Sequence, residues 1–127
     1  MELKFYICKH CGKIVAAVKD TPVPIMCCGE KMAELVPGTT DAAVEKHVPA
    51  VETNDGIVTV KVGSVAHPMI PEHYIQWVVI KTEQGVQGKA LTPDSAPEAE
   101  FALLPGDRAV EAYAYCNLHG LWKVEIS

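Results

Sequence analysis

The sequence predicts an all-β protein: a small four-cysteine metal domain followed by an antiparallel β-sandwich. Three observations predict it. Short runs rich in β-branched and aromatic residues, such as Ile75–Thr82 (IQWVVIKT), recur between clusters of Gly, Pro, Asn and Asp, which is the patterning of strands and turns. No stretch carries the long apolar period of an amphipathic helix. Four of the five cysteines fall between positions 8 and 28, in a segment too short to build a core of its own.

Composition narrows the function classes. The chain has 127 residues, 49% of them hydrophobic, and a formal charge of −5. With a pI of about 5.5 it lacks the basic face that nucleic acid or an anionic membrane surface requires. No apolar run approaches the ~20 residues of a membrane-spanning helix. The start, Met1-Glu2-Leu3-Lys4-Phe5-Tyr6, does not follow the basic, apolar, small-residue order of a secretory signal. The expectation is a cytoplasmic protein with no nucleic-acid or membrane partner. In a reducing compartment cysteines serve as metal ligands more often than as disulfides.

Lys4–Ile7 reads as a strand that leads into Cys8-Lys9-His10-Cys11-Gly12. Two residues between cysteines let both sulfurs face one ion while N–H groups of the turn point at sulfur, and Gly12 suits the positive φ of such a knuckle. A second strand follows over Lys13–Val18 and an irregular loop over Thr21-Pro22-Val23-Pro24; Cys27-Cys28-Gly29 then precedes a third strand over Lys31–Leu35. Four thiolates suit zinc or iron in a tetrahedral site. Zinc would be a staple for a segment without a core; iron would add redox chemistry. Neighbouring side chains on extended chain point opposite ways, so the vicinal pair on one metal implies a strained turn. His10, inside the knuckle, reads as solvent-exposed and not a ligand.

Pro37-Gly38 marks a boundary, giving domains 1–36 and 37–127. Thr39–Lys46 (TTDAAVEK) has room for a turn or two of helix, capped by Thr40 or Asp41. It stops at His47-Val48-Pro49, because the residue before proline is pushed into extended geometry. Asn54-Asp55-Gly56 is a turn. Val58, Val60 and Val62 then alternate with Thr59, Lys61 and Gly63 as a half-buried strand. Further strands are expected over Ile75–Thr82, Val86–Leu91, Glu100–Leu104, Ala109–Cys116 and Trp122–Ile126, with Thr92–Glu98 a surface loop and Pro105-Gly106-Asp107 a tight turn. About six or seven short strands with turns between them make an antiparallel sandwich.

A second metal site is legible in this domain. Cys116-Asn117-Leu118-His119 sets a thiolate and an imidazole two residues apart, where a strand runs into a loop. His47, His67 and His73 also fall on loops or strand ends, where sites on sandwiches are built. Each alone reads as an ordinary surface or hydrogen-bonded histidine; with the Cys-x-x-His pair they form a candidate set of four imidazoles and one thiolate. Such a set keeps net positive charge on a divalent ion, which favours an anionic substrate. Five ligands leave one of six octahedral positions open. A thiolate opposite that position pushes electron density through the metal, as in haem-thiolate enzymes. Iron fits this; zinc usually stays four-coordinate and exchanges no electrons. Glu45 and Lys46 precede His47. Glu45 is a candidate reversible sixth ligand and Lys46 a mobile positive charge for an incoming anion, against the plainer reading of two solvated loop charges.

These residues resemble the desulfoferrodoxin family, the two-iron superoxide reductases. Cys8-x-x-Cys11 with Cys27-Cys28 looks like that family's desulforedoxin-like iron site. Glu45-Lys46-His47-Val48-Pro49, His67-Pro68-Met69, His73-Tyr74-Ile75-Gln76-Trp77 and Cys116-Asn117-Leu118-His119-Gly120 look like its catalytic-domain motifs. The resemblance implies two iron ions per chain, one on Cys8, Cys11, Cys27 and Cys28, the other with His47, His67, His73 and His119 equatorial and Cys116 axial. It implies an immunoglobulin-like sandwich of seven strands, one-electron reduction of superoxide to hydrogen peroxide, and catalytic roles for Glu45 and Lys46. It also implies a cytoplasmic homodimer with an electron donor such as rubredoxin. Hydrogen bonds from the N–H groups of Leu118 and His119 to the Cys116 sulfur are expected to moderate the thiolate push. A superoxide dismutase is chemically close but would evolve oxygen and need no external reductant, and two rivals of other classes remain at this point. A blue-copper carrier is also a sandwich with a C-terminal Cys and His, but Gly120-Leu121-Trp122 follows His119 where an axial Met is expected. A zinc-binding interaction module would be colourless.

Overall fold

Residues 2–39 and 42–126 are described by the structure, a computed structural model. The expected helix caps Thr40 and Asp41 lie outside the described residues. The chain divides into two units, Met1–Val36 and Pro37–Ser127.

The first unit contains β1 (Lys4–Ile7), β2 (Ile14–Ala17), β3 (Met26–Cys27), β4 (Glu30–Lys31) and β5 (Ala33–Glu34). β1 is the middle of a three-stranded antiparallel sheet in the order β2-β1-β5, and β3 pairs with β4. The single strand expected over Lys31–Leu35 is divided: Lys31 ends β4, and Ala33 and Glu34 join β1 instead. Met32 between them turns inward and is buried, which breaks the extended run. Among the described residues of this unit the buried apolar set is Phe5, Cys8 and Met32, far less than a self-supporting core needs.

The second unit begins with one helical turn, α1 (Val44–His47), that ends at His47 as expected but starts later, behind Ala43 with no side-chain cap bond. Seven strands follow: β6 (Pro49–Asn54), β7 (Ile57–Val62), β8 (Ile75–Thr82), β9 (Val86–Ala90), β10 (Glu98–Ala102), β11 (Ala109–Cys116) and β12 (Gly120–Glu125). They form two antiparallel sheets, β10-β7-β6 and β12-β11-β8-β9. Strands 8 and 11 lie as the sequence predicts. β6 was not expected, because Pro49, Ala50, Glu52 and Asn54 are poor strand formers. Its strand state comes from pairing, from Pro49↔Val62 through Asn54↔Ile57. The connecting residues Asp55 and Gly56 sit at φ 50 and 76, the two left-handed positions of a type I′ hairpin. Pro49 opens an edge strand, where a missing N–H is tolerated. β10 starts two residues before the expected Glu100, since Glu98 already pairs with Lys61, and β12 likewise starts at Gly120, paired with Cys116.

The sheets enclose Val58, Val60 and Val62 of β7, Ile75, Val78 and Ile80 of β8, Phe101 of β10, and Ala112, Ala114 and Cys116 of β11. Each large side chain of this set contributes roughly 1.5–3 kcal/mol by burial, so the sandwich has a core that does not depend on a metal. Cys116 ends the central strand at 0% exposure. The β8–β11 register shifts between Tyr115 and Cys116, a bulge of the kind that re-aims a side chain beside a functional site.

Candidate metal centres

In the first unit the sulfurs of Cys8, Cys11, Cys27 and Cys28 all lie within 4.8 Å of one another. Cys11 and Cys27 are 3.7 Å apart and Cys27 and Cys28 4.0 Å. Tetrahedral metal–sulfur bonds of ~2.3 Å require sulfurs ~3.8 Å apart, so the donor set fits a tetrahedral ion. The vicinal pair reaches it through a turn. Cys28 at φ 52 and Gly29 at φ 76 close the β3–β4 hairpin, and a non-glycine residue in that region costs about 1–2 kcal/mol. At the knuckle, Gly12 donates its N–H to the Cys8 carbonyl at 2.8 Å and has φ 80. N–H groups of Cys11 and His10 hold the Cys8 thiol down to about 6 despite its burial. Hydrogen bonding to the Cys8 and Cys11 sulfurs pushes Cys27 up to about 12; a bound cation would take the place of the proton so held. His10 is exposed and pairs with Glu30 at 3.1 Å, in keeping with its reading as a non-ligand.

In the sandwich the ligand atoms of His47, His67, His73 and Cys116 lie within 4.8 Å of one another. His119 completes the group, its Nδ1 being 3.2 Å from His47 Nε2 and 3.8 Å from Cys116 Sγ. The four imidazoles close a ring. Successive centroids are 4.6 Å (His47–His67), 4.7 Å (His67–His73), 5.1 Å (His73–His119) and 5.0 Å (His119–His47) apart, and each ring stands nearly perpendicular to the next. His47 Nε2 and His67 Nε2 are 3.1 Å apart. Metal–nitrogen bonds of ~2.1 Å in a square plane place adjacent nitrogens ~3.0 Å apart. His73 Nε2 is buried without a hydrogen-bond partner among the described residues, which a metal bond would satisfy. Two rings are aimed by their other nitrogen: His47 Nδ1 bonds the Ala43 carbonyl and His67 Nδ1 the Pro68 carbonyl, both at 2.7 Å. That is the outer-shell pattern of ligating histidines. Burial lowers the basicity of His47 and His73 and holds His67 down to about 4, so all three present neutral imidazoles.

Cys116 sits at the base of the hairpin to Gly120, whose φ of 79 closes the turn. Burial raises its thiol, and the N–H groups of Leu118 and His119, hydrogen-bonded to its sulfur, lower it. Those are the two bonds expected from the sequence. Glu45 and Lys46 lie on α1 immediately before His47, both exposed. The positive charge of Lys46 is felt at His47 and His73, where it opposes protonation.

Three residues that sequence reasoning passed over shape this site. Asn117 ties the hairpin to the His73 segment. Trp122 donates its indole N–H to the His119 carbonyl at 3.0 Å and lies 5.0 Å from the His47 ring. Gly63 lets two backbones touch, since a Cβ there would meet the Glu45 carbonyl oxygen at 2.6 Å and that of Val48 at 2.9 Å. A glycine ending an otherwise apolar strand was the available signal for close backbone approach. Asn117 and Trp122 carried none beyond lying near Cys-x-x-His.

Known proteins are similar to this chain in sequence and in fold. The sequence pattern of the Desulfoferrodoxin family matches residues 39–125. The chain is 42% identical to desulfoferrodoxin of Clostridium acetobutylicum, covering 98% of both chains. It is 47% identical to desulfoferrodoxin of Syntrophotalea carbinolica over 98% of this chain and 97% of that one. Its structure is similar to that of superoxide reductase from Treponema pallidum, at 46% identity and a TM-score of 0.85, covering 98% of this chain and 100% of the other. A superoxide reductase (1Fe-SOR) from Giardia intestinalis aligns at 29% identity and a TM-score of 0.56, over 65% of this chain and 98% of its own. The two ligand groups match the two iron centres of desulfoferrodoxin, and the chain belongs to the desulfoferrodoxin family.

Proposed function

We propose that the chain is a superoxide reductase, converting superoxide, one electron from an external donor and two protons into hydrogen peroxide. The observation that carries this reading is the closed ring of four imidazoles with a fully buried thiolate beside it. Cys8, Cys11, Cys27 and Cys28 hold one iron; His47, His67, His73, His119 and Cys116 hold the other. The domains are 1–36, the four-cysteine unit, and 37–127, the catalytic sandwich. Iron held by the second set would supply one-electron redox chemistry toward superoxide.

The chain's own residues do the rest. The exposed Lys46 beside His47 draws the small anion in, a steering effect that weakens with salt. It also holds water from which the product takes its protons. Glu45, exposed on the same helical turn, would serve as a reversible ligand to the oxidised centre. The N–H bonds of Leu118 and His119 draw charge from the Cys116 sulfur and would moderate its donation to a bound iron. The working form is a cytoplasmic homodimer fed by a donor such as rubredoxin.

The test is metal analysis of the purified chain with superoxide consumption under excess reductant, following peroxide and oxygen together. Two irons per chain, peroxide formed and no oxygen released are expected. Oxygen release without a need for reductant would make the reaction a dismutation; zinc or copper with no consumption would remove the enzyme reading. Lys46→Ile should slow the reaction with superoxide and flatten its salt dependence, and an unchanged rate removes Lys46 from the mechanism.

A further inference from the structure

The four imidazoles are not aimed in the same way. His47 and His67 are each pinned through Nδ1 to a carbonyl, and His119 uses Nδ1 toward the cluster while its carbonyl receives the Trp122 indole. Among the described residues no hydrogen bond fixes the His73 ring, and its Nε2 is without a partner. The position of that ring therefore depends on where its backbone is held and on the His67 and His119 rings that stand against it. His73 and Ile70 exchange backbone bonds of 3.0 and 3.1 Å, and the Ile75 N–H reaches the Met69 sulfur at 3.4 Å, but these contacts only close the 67–75 loop on itself.

The His67 end of that loop is held by its N–H on the Val62 carbonyl at 2.8 Å; at the His73 end one side chain ties it to the hairpin after β11. Asn117 Oδ1 accepts the Tyr74 N–H at 2.9 Å, Asn117 Nδ2 donates to the Glu72 carbonyl at 2.9 Å, and the Asn117 N–H donates to the Tyr74 carbonyl at 3.3 Å. Both chain neighbours of His73 are thus held by the residue that follows Cys116. The side chain behaves as a detached peptide group, offering one acceptor and one donor at the spacing of a strand partner. Asp lacks the donor, Ala lacks both groups, and Gln carries an extra methylene. Asn117 also begins the turn whose next two N–H groups bond the Cys116 sulfur.

We propose that Asn117 is the positioning residue that locks His73 and Cys116 into one fixed geometry, setting the metal affinity and potential of the second centre from outside the ligand set. The inference rests on the reading of this cluster as a metal site, and not on superoxide being the substrate.

The test uses the full iron-loaded chain with Asn117→Ala and Asn117→Asp, the four-cysteine centre serving as internal control. Loss of an outer-shell partner of this kind costs roughly 10–100-fold in metal affinity. Competition with a chelator should therefore strip the second centre of Asn117→Ala about that much more readily. The thiolate-to-iron band and midpoint potential should shift, and hydrogen exchange should quicken across residues 72–75, with the first centre unchanged. Asn117→Asp keeps the Tyr74 contact but sets a carboxylate oxygen against the Glu72 carbonyl, and should change in the same direction. Faster exchange with affinity, band and potential as in the unaltered chain would reduce Asn117 to a loop fastener and overturn the proposal. So would a variant in which exchange itself is unmoved. An unaltered chain that takes no metal at the second centre would instead overturn the metal reading beneath it.

Discussion

In the first unit the ligands come from two tight turns, Cys8–Cys11 and Cys27-Cys28, and Cys11 and Cys28 are exposed. In the sandwich they come from the end of α1, the 67–73 loop and the hairpin after β11, and His47, His67 and Cys116 are buried. The first cluster has almost no core behind it, and its geometry spends free energy on a left-handed cysteine at position 28. The second sits at the end of a finished hydrophobic core, with two of its histidines, His47 and His67, aimed by carbonyls. A metal organises the first and is received by the second. A centre that only has to hold an ion can be made from local turns. One that must keep a coordination position and a charged side chain in register needs ligands fixed by a scaffold.

Metal removal gives the largest effect that separates the two. Chelation after reduction should unfold residues 4–35, because four uncompensated sulfurs remain where three buried apolar residues supply the core. The sandwich should keep its strands. Amide spectra of the metal-free chain would show collapsed signals for the first unit beside dispersed ones for residues 49–125. A first unit that stays dispersed without metal would mean that its hairpins are self-supporting.

Single-ligand substitutions should sharpen the contrast. Cys8→Ser removes a buried thiolate from the first unit and should cost both its metal and its fold. Cys116→Ser should abolish the thiolate-to-iron colour of the second centre and most activity while the sandwich melts near its original temperature, since β11 is held by β8 and β12 on either side. Persistence of that colour would exclude Cys116 as a ligand.

A smaller effect is expected at Gly63, where the sandwich supports the ligand loop from behind. The Glu45 carbonyl takes the Val65 N–H at 2.8 Å and the Ser64 hydroxyl at 3.2 Å, so α1 is pinned to the end of β7. Gly63→Ala drives a methyl group into that backbone. It should destabilise the sandwich by about 1–3 kcal/mol and displace His47, lowering iron at the second centre while the first stays full. Normal loading with an unaltered melt would show that α1 can yield.

How much of this was legible follows from the range of the signals. Val58, Val60 and Val62 announce a strand by alternation, and Ile75–Thr82 by composition, because those signals are local. The ligands were legible because Cys and His are chemically distinctive and fall at turns. β6 was hidden because its state depends on β7, to which it is joined register by register, and not on its own residues. The split at Met32 and the early start of β10 are of the same kind, decided by burial and by partners. Asn117 and Gly63 were hidden because each acts on a segment remote in sequence, as Asn117 does on Tyr74, and Trp122 because its ring lies against the distant His47.

The smallest effect tests whether the sandwich carries its own stability through its side chains as well as its core. Glu111 on β11 meets Lys123 at 2.7 Å, Lys81 at 3.8 Å and the Tyr113 hydroxyl at 3.2 Å. Burial pushes its carboxyl up, but the Lys123 hydrogen bond and charge, with Tyr113 and Lys81, pull it further down, below its ordinary 4.5. A carboxyl depressed on folding adds stability above its unfolded value and loses it as pH falls through the folded one. Glu111→Gln should therefore destabilise the sandwich by about 1 kcal/mol at neutral pH. The gap should narrow as the pH falls below the ordinary carboxyl value and close once it has passed through the lowered folded one, where the unaltered carboxyl is also protonated. Melts of the sandwich at the two pH values read this directly. A deficit of equal size at both would place the contribution of Glu111 in its packing against Tyr113 and not in its charge.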